Sequence, residues 1–219
     1  LEYSKSLWKI TTEYKIPFVY ASSAATYGAG EFGYEDDELK MAQLKPLNPY
    51  GNSKLQFDLW VLEQEKLGNT PPIWSGFKFF NVYGFGERHK IKMASVVFQG
   101  FEQIKAKGEL KLFKSHKPGI ADGEQKRDFV YVGDVVDVLL YAISGNIKRG
   151  IYNLGSGIAR SFLDLAKATF KALSKEPNIQ FIDTPIEIRD RYQYFTQSTM
   201  NKLKNAGYHR EFTSLEDGV

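Results

Sequence analysis

Residues 16–23 read IPFVYASS, a short apolar run rich in β-branched and aromatic residues. Such a run, bounded by a proline and two serines, predicts a buried strand. A helix is predicted from Pro49 to about Lys66, because Asn48 is a preferred N-cap and proline is favoured at the first helical position. The stretch IWSGFKFFNVYG at 73–84 predicts a second buried strand. A strand, a helix and a strand in this order predict a βαβ unit and a parallel sheet.

The rest of the chain continues this alternation, although its later part is more mixed. Apolar residues at helical spacing predict helices, and short β-rich runs predict strands. We therefore expect an α/β fold, with residues 84–116 and 157–219 contributing to a smaller lobe. The further predicted helices are 1–10, 92–107, one capped by Asp134 and one from Ser161 to about Leu173, and the further strands are 111–114, 151–155 and 179–183.

Composition excludes several classes of protein. The chain has 219 residues, 42% of them hydrophobic and 25% charged, so it can build a core. A net charge of +3 is too small to indicate a nucleic-acid or membrane partner. Cysteine is absent, which excludes disulfides and thiolate metal sites. The three histidines lack the spacing of metal ligands, so we predict no metal. The longest apolar run, 135–143, is too short to span a membrane.

The sequence GAGEFG at 28–33 matches the dinucleotide-binding pattern G-x-G-x-x-G and follows a predicted strand. That pattern requires a helix to begin at once, so that its N-terminus meets the pyrophosphate. Here Glu31, Glu35 and the acidic residues after them would repel a diphosphate instead. We therefore interpret 28–33 as a glycine-rich loop.

Tyr50 and Lys54 stand four residues apart in PYGNSK, at 49–54, and so share one face of the predicted helix. An ammonium near a phenol favours the phenolate, and such a tyrosine can exchange a proton with an alcohol near neutral pH. The alternative is a solvated pair, since about one such spacing is expected by chance in a chain this rich in Tyr and Lys.

Polar residues follow both predicted strands. Ser22 and Ser23 end the first strand, and Asn81 comes near the end of the second. Ligands of open parallel sheets bind beyond the carboxyl ends of the strands. We therefore expect these side chains to meet Tyr50 and Lys54, with a serine bonding the same alcohol oxygen as the tyrosine.

This combination of SSAATYG, Y-x-x-x-K and FNVYG resembles the extended short-chain dehydrogenase/reductases, the branch acting on nucleotide sugars. The narrower strings HKIKMAS (89–95), KRDFVYVGDV (126–135), NLGSG (153–157) and RYQYFTQ (191–197) are similar to epimerases that act at C6 of an ADP-linked heptose. The resemblance covers essentially the whole chain. It implies the C-terminal part of a Rossmann-like, doubly wound parallel sheet and a smaller mixed α/β substrate-binding lobe.

The resemblance assigns roles to individual residues. It implies that Tyr50 is the catalytic acid–base, that Ser23 orients the reacting hydroxyl, and that Lys90 is a second acid–base. Lys54 would hold the cofactor ribose and assist Tyr50, and Val82 and Lys90 would also contact the cofactor. The implied substrate contacts are Ser23, Asn81, Lys92, Gln99, Phe113, Lys114, Ser115, His116, Arg127 and Tyr192.

Other roles remain open for three of these residues. Lys90 could be a solvated rim lysine, Arg127 could pair with Asp128 or Asp134, and Tyr192 could pack on its own lobe. Lys92 and Gln99 also depart from the family pattern, in which we expect a small polar residue and a histidine. The loop 115–126 is longer than usual, so the exact sugar stays open.

The resemblance implies redox-neutral epimerisation of an ADP-sugar with NADP, or alternatively NAD, for lipopolysaccharide precursor synthesis in the bacterial cytoplasm. It implies a homo-oligomer with no nucleic-acid or membrane partner. Residues 1–83 would be the remainder of the dinucleotide-binding domain, and 84–219 mostly the substrate lobe, with 127–156 returning to the first domain. The glycine-rich cofactor motif would precede Leu1, so we expect the chain as given to be inactive alone.

Two alternatives remain. One is another nucleotide-sugar epimerase, such as a UDP-hexose 4-epimerase, in which we do not expect the HKIKMAS and RYQYFTQ strings. The other is a non-catalytic relative that binds a sugar nucleotide, which predicts the loss of Tyr50 or Lys54. Both of those residues are present.

Overall fold

A computed structural model describes residues 1–189 and 192–219, with the exception of the side chain of Lys92. The chain forms two compact units, each built from three segments. Unit 1 comprises Leu1–Phe80, Val135–Leu154 and Ser198–Arg210, and unit 2 comprises Asn81–Asp134, Gly155–Gln197 and Glu211–Val219. The assignment of cofactor and substrate domains to parts of the chain stays a prediction.

Helices and strands alternate along most of the described chain, as the sequence predicts. Short 3₁₀ helices lie between them, at Ala24–Tyr27, Met41–Gln43 and Arg88–Met93. The strands are β1 (Phe18–Ser23), β2 (Trp74–Phe79), β3 (Asn81–Tyr83), β4 (Leu110–Phe113), β5 (Lys126–Tyr131), β6 (Gly150–Leu154), β7 (Ala159–Ser161) and β8 (Ile179–Ile182). The α-helices are α1 (Glu2–Glu13), α2 (Pro49–Lys66), α3 (Val96–Lys107), α4 (Val132–Ile143), α5 (Phe162–Ala172), α6 (Ile186–Arg189), α7 (Asn201–Asn205) and α8 (Leu215–Gly218).

Unit 1 is built on a parallel sheet with the strand order β1-β2-β6. Phe18 pairs with Trp74, and Ser75 with Gly150. Helix α2 packs on β1 and begins as predicted, because the Asn48 side chain accepts a hydrogen bond from the Gly51 amide at 2.8 Å. The sheet and helix together place the carboxyl end of β1 beside the first turns of α2. The core beneath them includes Trp8, Phe57, Val61, Trp74 and Ile151.

Among its described residues, unit 2 contains one three-stranded and one two-stranded sheet. In one of them, β5 pairs in parallel with β3 and antiparallel with β7, and in another β4 pairs in parallel with β8. Helix α5 starts with a complete capping box between Ser161 and Asp164, and it packs against α3. The cores of this unit centre on Phe129 and Leu165 and on Ile104 and Phe170.

Three details of the sequence prediction are wrong. The run 73–84 is not one strand, because β2 ends at Phe79 and β3 begins at Asn81. The predicted helix 92–107 begins only at Val96, where the Ser95 side chain caps it. Asp134 is not the cap of α4 but lies within its first turn, and its carboxylate instead accepts hydrogen bonds from Thr213. The strand β7 and the short helices α6 and α7 were not predicted. Among the described residues, no helix is long and apolar enough to cross a membrane.

Candidate active site

Tyr50 and Lys54 lie on one face of α2, as their spacing predicts. The Lys54 Nζ is 5.7 Å from the centroid of the Tyr50 ring and donates a 2.8 Å hydrogen bond to the carbonyl oxygen of Ala21 in β1. The Tyr50 side chain is open to solvent, with 57% of the residue exposed. The ammonium is therefore anchored to β1, while the phenol is accessible to a ligand.

The two serines that end β1 differ in their surroundings. Ser22 is buried, and its hydroxyl donates to Asp58 at 2.7 Å. Ser23 is only half-buried, and its Oγ accepts a hydrogen bond from the Ala25 amide at 3.1 Å. Ser23, which the resemblance selects, is thus the more accessible of the pair, and Ser22 serves a buried network.

That buried network is the feature that the sequence analysis missed. Asp58 and Lys78 are both fully buried, and the Lys78 Nζ lies 2.6 Å from Asp58 Oδ2. Tyr20 donates to the other carboxylate oxygen at 3.0 Å, and Lys78 also donates to Thr26 at 2.8 Å. A signal was available in the sequence, since a lysine within the apolar strand GFKFF requires a buried acidic partner.

The acidic stretch after Tyr34 binds the backbone of β6. Asp36 accepts a hydrogen bond from the Asn153 amide at 2.8 Å, and Glu38 accepts one from the Ile151 amide at 2.9 Å. Lys202 lies 2.6 Å from Glu38. Burial raises the pKa of Asp36 above its ordinary value, although the Asn153 amide opposes this effect.

The glycines of GAGEFG lie in a loop, as predicted. No helix begins within residues 28–33. Gly28 has a φ of 61°, and a Cβ at this position would overlap the carbonyl oxygen of Lys45. Gly30 has a φ of 81° and packs against the Tyr34 ring. The interpretation of this stretch as a glycine-rich loop is therefore confirmed.

In unit 2, Lys90 lies in the segment 84–95, whose two ends are joined by the buried carboxylate of Glu87. Glu87 accepts hydrogen bonds from the Gly84 amide at 3.1 Å and from the Ser95 amide at 2.6 Å and hydroxyl at 2.7 Å. Lys90 itself is exposed, and the next residue, Ile91, has a φ of 50° and a ψ of −115°. A β-branched residue with a positive φ is strained, so the backbone beside Lys90 stores conformational energy.

Other predicted contacts of unit 2 lie in β3 and α3 or outside the described part of the chain. Asn81 and Val82 lie in β3, and Gln99 of α3 donates to the Ala94 carbonyl at 2.8 Å. The side chain of Lys92, a predicted substrate contact, is outside the described part of the chain, as is Arg191 in the RYQYFTQ string.

Arg127 is held between two aromatic rings. Its guanidinium carbon lies 5.5 Å from the ring centroids of both Phe162 and Tyr192. It donates to the carbonyl of Lys126 at 2.8 Å and to that of Gln193. The planar guanidinium is thus oriented by stacking and by backbone acceptors, which suits the recognition of a phosphate or carboxylate.

The two acidic residues that were alternative partners of Arg127 have other contacts. Asp128 accepts hydrogen bonds from Ser156 and Gly157, and Asp134 accepts them from Thr213. These contacts engage both carboxylates, and the role of Arg127 in binding an anion stays a prediction.

The segment Phe113–His116 lies near Tyr192 in the same unit, because the Phe113 ring packs edge-on against that tyrosine. Lys114 pairs with Asp183 at 3.2 Å. The Ser115 amide donates to Asp122 at 2.7 Å, and the His116 amide donates to Tyr194 at 2.9 Å. Burial raises the pKa of Tyr192. The two parts of the predicted wall of the substrate site, Phe113–His116 and the RYQYFTQ string, thus contact each other.

The structure brings Ser23, Tyr50 and Lys54 together within unit 1. The remaining predicted contacts lie in unit 2, so their convergence on the same ligand stays a prediction. An apolar cavity of about 660 Å³ also lies within unit 2, lined in part by Tyr83 and Phe98, but none of the predicted site residues lines it. Across the residues that the structure describes, no group of histidine and acidic side chains is arranged to bind a metal.

Comparison with known proteins identifies the class. The chain belongs to the NAD dependent epimerase/dehydratase family, whose model matches residues 1–155. A curated relative, the ADP-L-glycero-D-manno-heptose-6-epimerase of Fusobacterium nucleatum subsp. nucleatum, is 50% identical over 225 residues. That match covers 99% of this chain and 67% of the relative. The predicted resemblance is therefore confirmed.

Solved structures confirm the Rossmann-like α/β fold. The crystal structure of Helicobacter pylori ADP-L-glycero-D-manno-heptose-6-epimerase is 31% identical with a TM-score of 0.77, over 95% of this chain and 59% of that one. The UDP-glucose 4-epimerase of Thermus thermophilus, solved in complex with NAD, is 25% identical with a TM-score of 0.71, over 94% of this chain and 63% of that one. The chain thus spans less than two thirds of these solved structures, and the family supports a nicotinamide cofactor.

Proposed function

We propose that the chain is part of an enzyme that epimerises ADP-D-glycero-D-manno-heptose at C6 to the L-glycero form, with NADP as the cofactor. The observation that carries this proposal is the arrangement of Tyr50 and Lys54 beside the carboxyl end of β1, next to Ser23. The relatives named as heptose 6-epimerases, at 50% and 31% identity, support the choice of substrate.

One residue of unit 1, Lys54, is suited to binding a nicotinamide cofactor. Lys54 carries three N–H donors, one of which is directed at the Ala21 carbonyl, and a ribose hydroxyl is a suitable acceptor for another. When bound, the nicotinamide supplies hydride chemistry at a carbinol carbon. The choice of NADP over NAD comes from the resemblance alone.

The chain's own residues would move the proton and orient the sugar. Tyr50 takes the proton of the reacting hydroxyl and later returns it, and Ser23 donates a hydrogen bond to the same oxygen. Lys90 serves the opposite orientation of the sugar, because inversion presents the other face of the carbonyl carbon. Arg127, already oriented between two rings, binds the diphosphate, and Tyr192 packs against the substrate beside it.

The second candidate is a UDP-hexose 4-epimerase. The Thermus relative at 25% identity favours it, because the same Tyr-Lys chemistry serves both reactions. Lys92 and Gln99 also leave this candidate open. They depart from the family pattern at predicted substrate contacts, and this departure does not change the chemistry at Tyr50. We further propose a homo-oligomeric enzyme of the bacterial cytoplasm that supplies a lipopolysaccharide precursor.

The test uses the full-length protein. Proton NMR would follow the conversion of ADP-D-glycero-D-manno-heptose for the wild type and for Tyr50→Phe. The control is Tyr14→Phe, at an exposed tyrosine outside the site. We expect conversion by the wild type and the control, and a loss of about 100-fold or more in Tyr50→Phe. Turnover of UDP-galactose with no conversion of the ADP-heptose would contradict the heptose assignment but preserve the role of Tyr50.

A further inference from the structure

We propose that Asp58 and Lys78 are positioning residues, which fix Ser23 and Tyr50 relative to each other. The inference rests on the proposed function, since it concerns the same acid–base pair. Neither residue is exposed, and so neither can touch a substrate. Their effect must pass through the groups that they hold.

The network holds the backbone of Ser23 from both sides. Before it, the Ser22 hydroxyl donates to Asp58 Oδ2 at 2.7 Å. After it, the Thr26 hydroxyl donates to the Ser23 carbonyl at 2.8 Å while it accepts a 2.8 Å hydrogen bond from Lys78. The position of Ser23 is therefore set by one carboxylate and one ammonium, which are themselves paired at 2.6 Å.

The same network sets the position of α2 along β1. Tyr50, Lys54 and Asp58 follow one another at intervals of four residues, so they lie along one side of the helix. Lys54 donates to the Ala21 carbonyl, and Asp58 accepts from Ser22, the next residue of the strand. Two successive turns of α2 thus bind two successive residues of β1, and this pairing determines where the Tyr50 phenol stands relative to Ser23.

The contact between α2 and β1 is directional, because hydrogen bonds and charges fix the relative position of the two elements more closely than apolar packing would. A buried ion pair contributes little net stability, because the cost of desolvating both charges offsets their attraction. Replacing both charges by apolar groups of similar volume is therefore expected to leave a folded protein. The geometry of Ser23 would nevertheless be altered, since Ser22 would lose its acceptor and Thr26 would lose the Lys78 donor that fixes its hydroxyl.

The experiment compares Asp58→Leu/Lys78→Met with the wild type in the full-length enzyme. The double variant is used because either single substitution would leave an unpaired buried charge and is expected to unfold the protein. The matched control is Val61→Ala, which removes buried apolar volume from the same helix but none of the network's hydrogen bonds. The readouts are kcat and KM for the ADP-heptose, and amide hydrogen exchange at Ala25, whose N–H is bonded to the Ser23 Oγ.

We expect the double variant to lose about 10- to 100-fold in kcat with little change in KM, because misplacement affects the reacting geometry more than binding. Exchange at Ala25 should accelerate in the double variant more than in Val61→Ala. In a Ser23→Ala background the double substitution should lower kcat much less, since both changes act through the same hydroxyl.

Wild-type kcat and unchanged exchange at Ala25 in the folded double variant would overturn the inference. A loss of kcat no larger than that of Val61→Ala at matched stability would also overturn it, because stability alone would then explain the loss. If the wild type turns over no ADP-heptose but exchange at Ala25 accelerates, the proposed function fails while the positioning role is supported.

Discussion

Gly51, the residue after Tyr50, lies directly against the backbone of Ala25, two residues after Ser23. A Cβ on Gly51 would stand 2.6 Å from the Ala25 carbonyl oxygen and 3.0 Å from Pro46. Helix α2 can therefore approach the turn after β1 this closely only because residue 51 has no side chain.

The first prediction is that Gly51→Ala destabilises the protein by about 1–3 kcal/mol, because the added methyl group forces α2 away from the turn. The displacement should also lower kcat, since Tyr50 moves with the helix. Urea unfolding and the epimerase assay would measure both effects.

The control for this prediction is Gly100→Ala in α3, where a Cβ would make ordinary contacts of 3.5 Å and 3.6 Å with Leu110. This variant should gain about 0.5–1 kcal/mol, because alanine loses less backbone entropy than glycine on folding. An equal gain for Gly51→Ala would show that the close approach at Ala25 is not a constraint.

The second prediction concerns the strained backbone at Ile91. Because Ile91 is 75% exposed, Ile91→Gly removes little packing and relieves a positive φ that a β-branched residue tolerates poorly. We expect a net gain of about 1 kcal/mol in the free energy of unfolding, after allowing for the flexibility of glycine in the unfolded chain. Met93→Gly, which is also exposed but has no positive φ, should lose stability. A loss in both variants would refute the strain.

The third prediction concerns Glu87, whose carboxylate joins the two ends of the segment 84–95. Glu87→Gln replaces one acceptor oxygen by an NH₂ group that faces N–H or O–H donors, so one of these hydrogen bonds is lost. We expect faster tryptic cleavage at Lys90 and, if Lys90 acts on the substrate, a lower kcat. Glu109→Gln, at an exposed ion pair of 3.8 Å, should change neither. Unaltered cleavage in Glu87→Gln would show that the carboxylate does not hold the segment.

The fourth prediction is a pH dependence of stability that originates at Asp36. Burial raises the pKa of Asp36 in the folded protein, so the folded state binds this proton more tightly than the unfolded chain does. The free energy of unfolding of the wild type, relative to that of Asp36→Asn, should therefore fall as the pH rises from about 4 through the raised pKa. Urea unfolding of both proteins between about pH 4 and 8 would measure this difference.

Glu216 provides a control of opposite sign. Hydrogen bonds from Arg160 lower the pKa of Glu216. The ionised Glu216 therefore contributes to the free energy of unfolding above about pH 4.3, and this contribution is lost as the pH falls through the lowered pKa. The stability of the wild type relative to Glu216→Gln should accordingly rise with pH over that range. The same sign for both comparisons would mean that burial does not control the titration of Asp36.

Local sequence determined most of the secondary structure and the helix that carries the candidate acid–base. Asn48 and Pro49 start α2 because a side-chain cap and a fixed proline φ act within one turn. The spacing of Tyr50 and Lys54 placed them on one face for the same reason, since helical geometry is local. The glycine-rich loop at 28–33 was also predictable, because the acidic residues beside it are adjacent in the chain.

Only the tertiary structure decided which groups these elements bring together. The pairing of Asp58 with Lys78, and of both with Ser22 and Thr26, joins residues 20 to 52 positions apart, and no local pattern encodes such distances. The place where β2 ends and β3 begins is likewise a tertiary feature, because β2 pairs with β6 whereas β3 pairs with β5. Capping and periodicity act over a few residues and can be read from the sequence, whereas buried charges are satisfied by whichever distant partners the fold supplies.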